Sequence, residues 1–88
     1  MKVLTTIEER DNEGLLALIG KRVTFFCLNY SYTGTLVGVN DKDVKLADAA
    51  VVYETGAFTD KAWKDAQKLP KEWYLRTATI ESYGELKE

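Results

Sequence analysis

From Arg22 onward apolar and polar residues alternate with a period of two. The runs RVTFFCL, YTGTLVGV and DVKLADAAVVYE all show it, broken only at NYS and NDKD. A period of two sends successive side chains to opposite faces, so each run predicts a half-buried strand. Breaks this short suit hairpins alone, and the three runs are expected to form an antiparallel meander. Further on, EWYLRTA and TIESYG predict two more short strands. Upstream the grammar changes. In DNEGLLALIGKR, Asp11 or Asn12 can cap, Leu15, Leu16, Leu18 and Ile19 supply an apolar side, and Gly20 can terminate, which predicts a short N-terminal helix. Residues 1–10 fit a strand or neither state. In ETGAFTDKAWKDAQKLPKE, Thr59 can cap, Phe58, Ala62, Ala66 and Leu69 recur at helical spacing with Trp63 beside them, and Pro70 stops the run. That pattern predicts a helical insertion over about residues 55–72.

The second strand carries Gly34 and Gly38, although glycine in a strand interior costs stability. Five strands in so short a chain are too few for a sandwich, whereas a small closed barrel needs strands that bend sharply. Both glycines are therefore expected at corners of the second strand. The fold class that results is mainly β: one domain, residues 1–88, built as a small five-stranded barrel with an N-terminal helix and a helical insertion before the fourth strand.

Composition narrows the chemistry. At 88 residues and 45% hydrophobic, the chain has material for one small core. It contains no histidine and one cysteine, Cys27, so neither zinc ligation nor an internal disulfide is expected, and no cofactor motif is present. Cys27 reads as a small buried hydrophobe with no basic neighbour to activate it. Without a histidine, a phosphate-binding loop or a serine in a nucleophile setting, catalysis is not expected. The net charge of −2 argues against a broad basic clamp, so any nucleic-acid contact must be local. No segment reads as a signal peptide or membrane span, and a lone cysteine suits a reducing compartment; the expected location is the cytoplasm, that of the host if the protein is viral. The aromatics of the strands, at period two, are expected to be mostly core or interface.

GKRV after the predicted helix, GTLVGVN in the second strand and VKLAD in the third together resemble the first motif of the Sm and Sm-like (LSm, Hfq) proteins. YLRTATI resembles the second motif, an arginine between apolar strand residues followed by a tight turn and a returning Ile. The likeness spans roughly residues 12–53 and 73–83. It implies an SH3-like barrel that closes into a homo-oligomeric ring of about five to seven subunits, the fourth strand of one pairing with the fifth of the next. It also implies binding of single-stranded, U-rich RNA at the inner rim, and carries over by position to Asn40, Asp43 and Arg76, with Lys42 near the stacking place and Thr77 and Thr79 beside the arginine. The chain departs from the pattern in several places. Asn40 stands where the family opens its turn with Asp, and Asp43, allowing one deletion, where it offers Asn. Lys42 falls where an apolar or stacking side chain is usual, and Thr77 where Gly is preferred.

Simpler readings stand beside these. Asn40, Asp41, Lys42 and Asp43 form a hairpin turn whether or not a ligand exists, and Asp41 is read as turn alone. Arg76 could serve an ion pair between subunits, or pack on Tyr74. At the level of function, the alternative is a ring-forming assembly or adaptor protein, a phage-derived or environmental offshoot that keeps the barrel and binds no RNA. The insertion is expected to enlarge the subunit contact or to cap one face of the ring.

Overall fold

The alternation between Arg22 and Glu54 becomes three strands, β1 (Arg22–Cys27), β2 (Ser31–Val39) and β3 (Asp43–Glu54), in the computed structural model, which describes residues 14–54, 56, 63 and 65–86. They pair antiparallel in chain order, with Phe25 opposite Tyr32 and Leu36 opposite Leu46, as the meander requires. Three shorter strands follow: β4 (Asp65–Lys68), β5 (Trp73–Arg76) and β6 (Ile80–Gly84). β6 pairs with β1, while β4 and β5 both pair with β3, so all six belong to one antiparallel sheet.

One face of that sheet wraps a core of Val23, Phe25, Leu36, Val44, Leu46, Ala49 and Leu75, all buried. Burying each of the larger side chains contributes roughly 1.5–3 kcal/mol. The wrap depends on bends in β2 and β3. The β2–β3 register slips between Thr33 and Thr35 and again between Leu36 and Gly38, so both predicted corners coincide with irregularities. Their causes differ. A Cβ on Gly34 would lie 3.1 Å from Leu46 Cβ and 3.2 Å from Ala49 Cα, whereas one on Gly38 would meet only Lys45 Cβ at 3.8 Å. Gly34 is thus demanded by close approach, and Gly38 is not.

Opposite Gly34 the bulge lies in β3, where Asp48 adopts φ 51°, a left-handed conformation that Asp tolerates better than most residues. Arg22 secures it. Its Nη1 donates to the Asp48 carbonyl at 2.8 Å and lies 3.7 Å from Asp48 Oδ2, while Lys68 Nζ lies 3.5 Å from Oδ1.

Two predicted helices are corrected. Among the described residues the N-terminal helix is a single 3₁₀ turn, Leu15–Leu18, between Gly14 at φ 69° and Gly20 at φ 90°. Left-handed glycines on both sides leave no room for an α-helix. In a 3₁₀ turn residues i and i+3 share an edge, and Leu15 and Leu18 both pack on the core. The proposed caps Asp11 and Asn12 lie outside the described residues.

The helical insertion is likewise overturned where it can be followed. Ala66 pairs with Val52 and Lys68 with Ala50, making β4 a strand and giving six strands among the described residues where five were expected. The far half of β3 pairs with β2 along one edge at Ala50–Val52, and β4 satisfies the backbone groups of its other edge. Leu69 N–H donates to the Ala49 carbonyl at 2.8 Å, and β5 then resumes pairing along Asp43–Leu46. β4 and β5 are therefore two parts of one edge, interrupted at Pro70. The predicted helical positions Phe58, Thr59 and Ala62 lie outside the described residues.

Candidate functional site

The β2–β3 and β5–β6 turns lie together because β3 and β5 pair from their ends: Asp43 is opposite Arg76. The first turn is built by Asn40. Backbone N–H groups of Lys42 and Asp43 both donate to Asn40 Oδ1 at 2.8 Å, and the Asn40 N–H donates to the Asp43 carbonyl at 3.0 Å. Since both partners of the side-chain atom are donors, it must be the oxygen, which leaves the amide nitrogen as what Asn40 can offer a ligand.

The second turn, a 3₁₀ turn at Thr77–Thr79, is tied to the first. Thr77 N–H donates to the Lys42 carbonyl at 2.8 Å, and the Thr77 hydroxyl donates to the Asp41 carbonyl at 2.9 Å. The Thr79 hydroxyl closes the turn on itself through the Arg76 carbonyl at 2.8 Å. Thr77 is thus the link between the turns, a role glycine at that place could not fill with a side chain. Asp41 takes part through its backbone, in keeping with a turn residue.

Arg76 Nε lies 3.3 Å from Asp43 Oδ1, with side-chain exposures of 69% and 34%. A pair this open contributes about 0–1 kcal/mol, so its effect is to orient the two groups more than to hold the fold. Beside it on the same face, Lys45 Nζ lies 3.2 Å from Glu72 Oε1 and 5.8 Å from the Tyr74 ring centroid. Hydrogen bonding and charge from Glu72, then Tyr74, raise the Lys45 pKa, so it stays a cation throughout the neutral range.

The six residues singled out in sequence are thus gathered: Asn40, Lys42, Asp43, Arg76 and Thr77 across the two turns, and Thr79 at the far side of the second. The alternation alone did not reveal what flanks them. A groove of about 280 Å³ runs from Arg76 and Thr79 between β5 and the β1–β2 turn, lined by Leu28, Asn29, Tyr30, Trp73 and Tyr74 among others. Several aromatics expected in the core or at an interface are exposed here: Tyr30, Trp73 and Tyr74, together with Tyr53, whose ring meets Tyr30 edge-on at 5.0 Å. The available signal was Tyr74 and Arg76 at i and i+2, which puts both on one face of β5. Cys27 also lines the groove, half-buried; burial pushes its thiol pKa up, more than a Thr79 hydrogen bond lowers it. Among the described residues, no group of three or more His, Cys, Asp or Glu side chains could hold a metal, and no helix is long and apolar enough to cross a membrane.

No protein-family model and no curated protein matches the chain. Among solved structures, the chain is similar to the Sm protein of Pyrococcus abyssii, whose structure is in complex with a uridine heptamer. The TM-score is 0.56 at 17% sequence identity, and the match covers 77% of this chain and 86% of that chain. The fold is Sm-like. Within the Sm-like fold, β5 and β6 are the strands that the sequence motif YLRTATI predicted, numbered one higher because β4 precedes them.

Proposed function

We propose that this Sm-like chain forms a closed homo-oligomeric ring of about five to seven subunits, in the cytoplasm, and binds single-stranded RNA at the inner rim. The observation that carries the reading is the union of the two turns, with Arg76 held beside Asp43 and Thr77 bonded to both Asp41 and Lys42. The likeness to a protein bound to a uridine heptamer supports RNA as the ligand. Ring closure is supported by the sheet: among the described residues β5 pairs only with β3 and β6 only with β1, leaving each an outer edge for a neighbouring subunit. The role is binding and not catalysis.

A second reading, a ring-forming adaptor without RNA, is favoured by the net charge of −2 and by the partial neutralisation of Arg76 by Asp43. Native mass spectrometry of protein purified without nuclease separates the two. RNA binding predicts a discrete ring carrying nucleic acid, lost on Arg76→Ala with the ring mass intact. A bare ring would favour the adaptor, and a monomer would remove both.

A further inference from the structure

The two turns have consumed most of their own hydrogen-bond acceptors. Asn40 Oδ1 takes two backbone donors, the Asp41 and Lys42 carbonyls take the hydroxyl and N–H of Thr77, and the Arg76 carbonyl takes the Thr79 hydroxyl. The Asp43 carbonyl is occupied by Asn40 N–H. The side chains of the turns offer donors from Asn40 Nδ2, Lys42 Nζ and the Arg76 guanidinium, and acceptors from the carboxylates of Asp41 and Asp43, of which Asp43 is the one set beside Arg76. The ion pair, Nε to Oδ1 at 3.3 Å, holds that acceptor and a fork of donors side by side.

The edges of the four bases answer this arrangement differently. Guanine presents two adjacent donors, N1–H and N2–H₂, next to the acceptor O6, so one carboxylate can accept twice while a guanidinium donates to O6. Uracil presents one donor, N3–H, between O2 and O4, and either carbonyl faces the second carboxylate oxygen lone pair to lone pair. Adenine and cytosine set a ring-nitrogen acceptor beside their amino donor and repel the carboxylate in the same way.

We infer that Asp43 makes this site prefer guanosine to uridine, its carboxylate accepting from guanine N1–H and N2–H₂ while Arg76 donates to O6. The inference rests on the reading that this face binds single-stranded RNA. The resemblance places an asparagine at position 43, and a carboxamide, with one donor and one acceptor, matches uracil N3–H and O4. Asp43→Asn should therefore move the preference back toward uridine.

The test uses fluorescence anisotropy with a labelled uridine pentamer and two relatives in which the central base is guanine or hypoxanthine. Inosine keeps N1–H and O6 and lacks the N2 amino group. The guanosine pentamer is expected to bind on the order of tenfold tighter than the uridine one, with inosine in between, and Asp43→Asn to abolish that advantage. Uridine binding equal to or tighter than guanosine binding would overturn the preference while leaving RNA binding in place. Equal affinities for guanosine and inosine would overturn the two-donor contact without recourse to any protein variant. Failure of the intact oligomer to bind any pentamer would sink the RNA reading itself, and the preference with it.

Discussion

Gly34 and Gly38 sit four residues apart in one strand and look equivalent in sequence, yet only Gly34 faces backbone at a distance no side chain tolerates easily. The atoms that a new methyl group would press, Ala49 Cα at 3.2 Å and the Ala47 carbonyl at 3.3 Å, belong to the β3 bulge and move only with the strand. Gly34→Ala is expected to destabilise the protein by about 1–3 kcal/mol in chemical denaturation. Gly38→Ala should change stability by no more than about 0.5–1 kcal/mol, and in the favourable direction, because it restricts the unfolded chain. Equal losses at both would show that the strand bends equally at both. The corner itself was legible, since a glycine inside an alternating apolar run has few other uses. The left-handed Asp48 and its clasp by Arg22 were not, because the two residues meet only once β1, β2 and β3 are in register. Arg76 and Asp43 were each legible as motif positions, but their pairing was not, because the two are joined by a cross-strand register that periodicity does not contain.

Among the elements, the helix expected across residues 65–69 shows where local pattern loses to tertiary pairing. Ala66 and Leu69 at i and i+3, surrounded by Asp, Gln and Lys, satisfy helix propensity better than strand propensity. All four β4 residues are exposed, so no buried alternation marks them as a strand. What decides their state is the open edge of β3 at Ala50–Glu54, which no window of neighbouring sequence reports. Pro70 was read correctly as a stop but for a different element. It interrupts the edge formed by β4 and β5, and proline on an edge strand withholds a donor from any strand that would add there. Pro70→Val should let β4 and β5 merge into a longer continuous edge and promote edge-to-edge association. Sedimentation velocity across a concentration series would record larger species than the parent protein forms; an unchanged distribution would show that the edge is guarded by other means.

For the whole molecule, a net charge of −2 per chain means that attraction to a polyanion must come from the turns and not from the overall field. Lys42 and Arg76 are the cations each subunit brings to the two turns. For single strands, the logarithm of affinity falls with the logarithm of salt concentration at about 0.7 per phosphate neutralised. With Arg76 turned to the base and Asp43, one chain engaging a phosphate through Lys42 should therefore give a slope near −0.7, and several chains acting together a proportionate multiple. Titrations between low and physiological salt would thus count how many copies touch one strand. A slope near zero would mean that the contacts are made to bases alone.

Along one edge β3 pairs with β2 from Val39 back to Ser31, while its other edge is divided between β5 and β4. Asp43–Leu46 is held by β5 beside the core, Ala50–Glu54 by the exposed β4, and the Asp48 bulge with the Pro70 break separates the two halves. Beyond Val52, where β2 no longer pairs with it, β3 and β4 alone form an arm, and residues added to or removed from that arm in cross-strand pairs keep every side chain on its face and leave the β2–β3 register as it is. In descent, the arm is therefore free to drift in length and surface chemistry without moving the two turns.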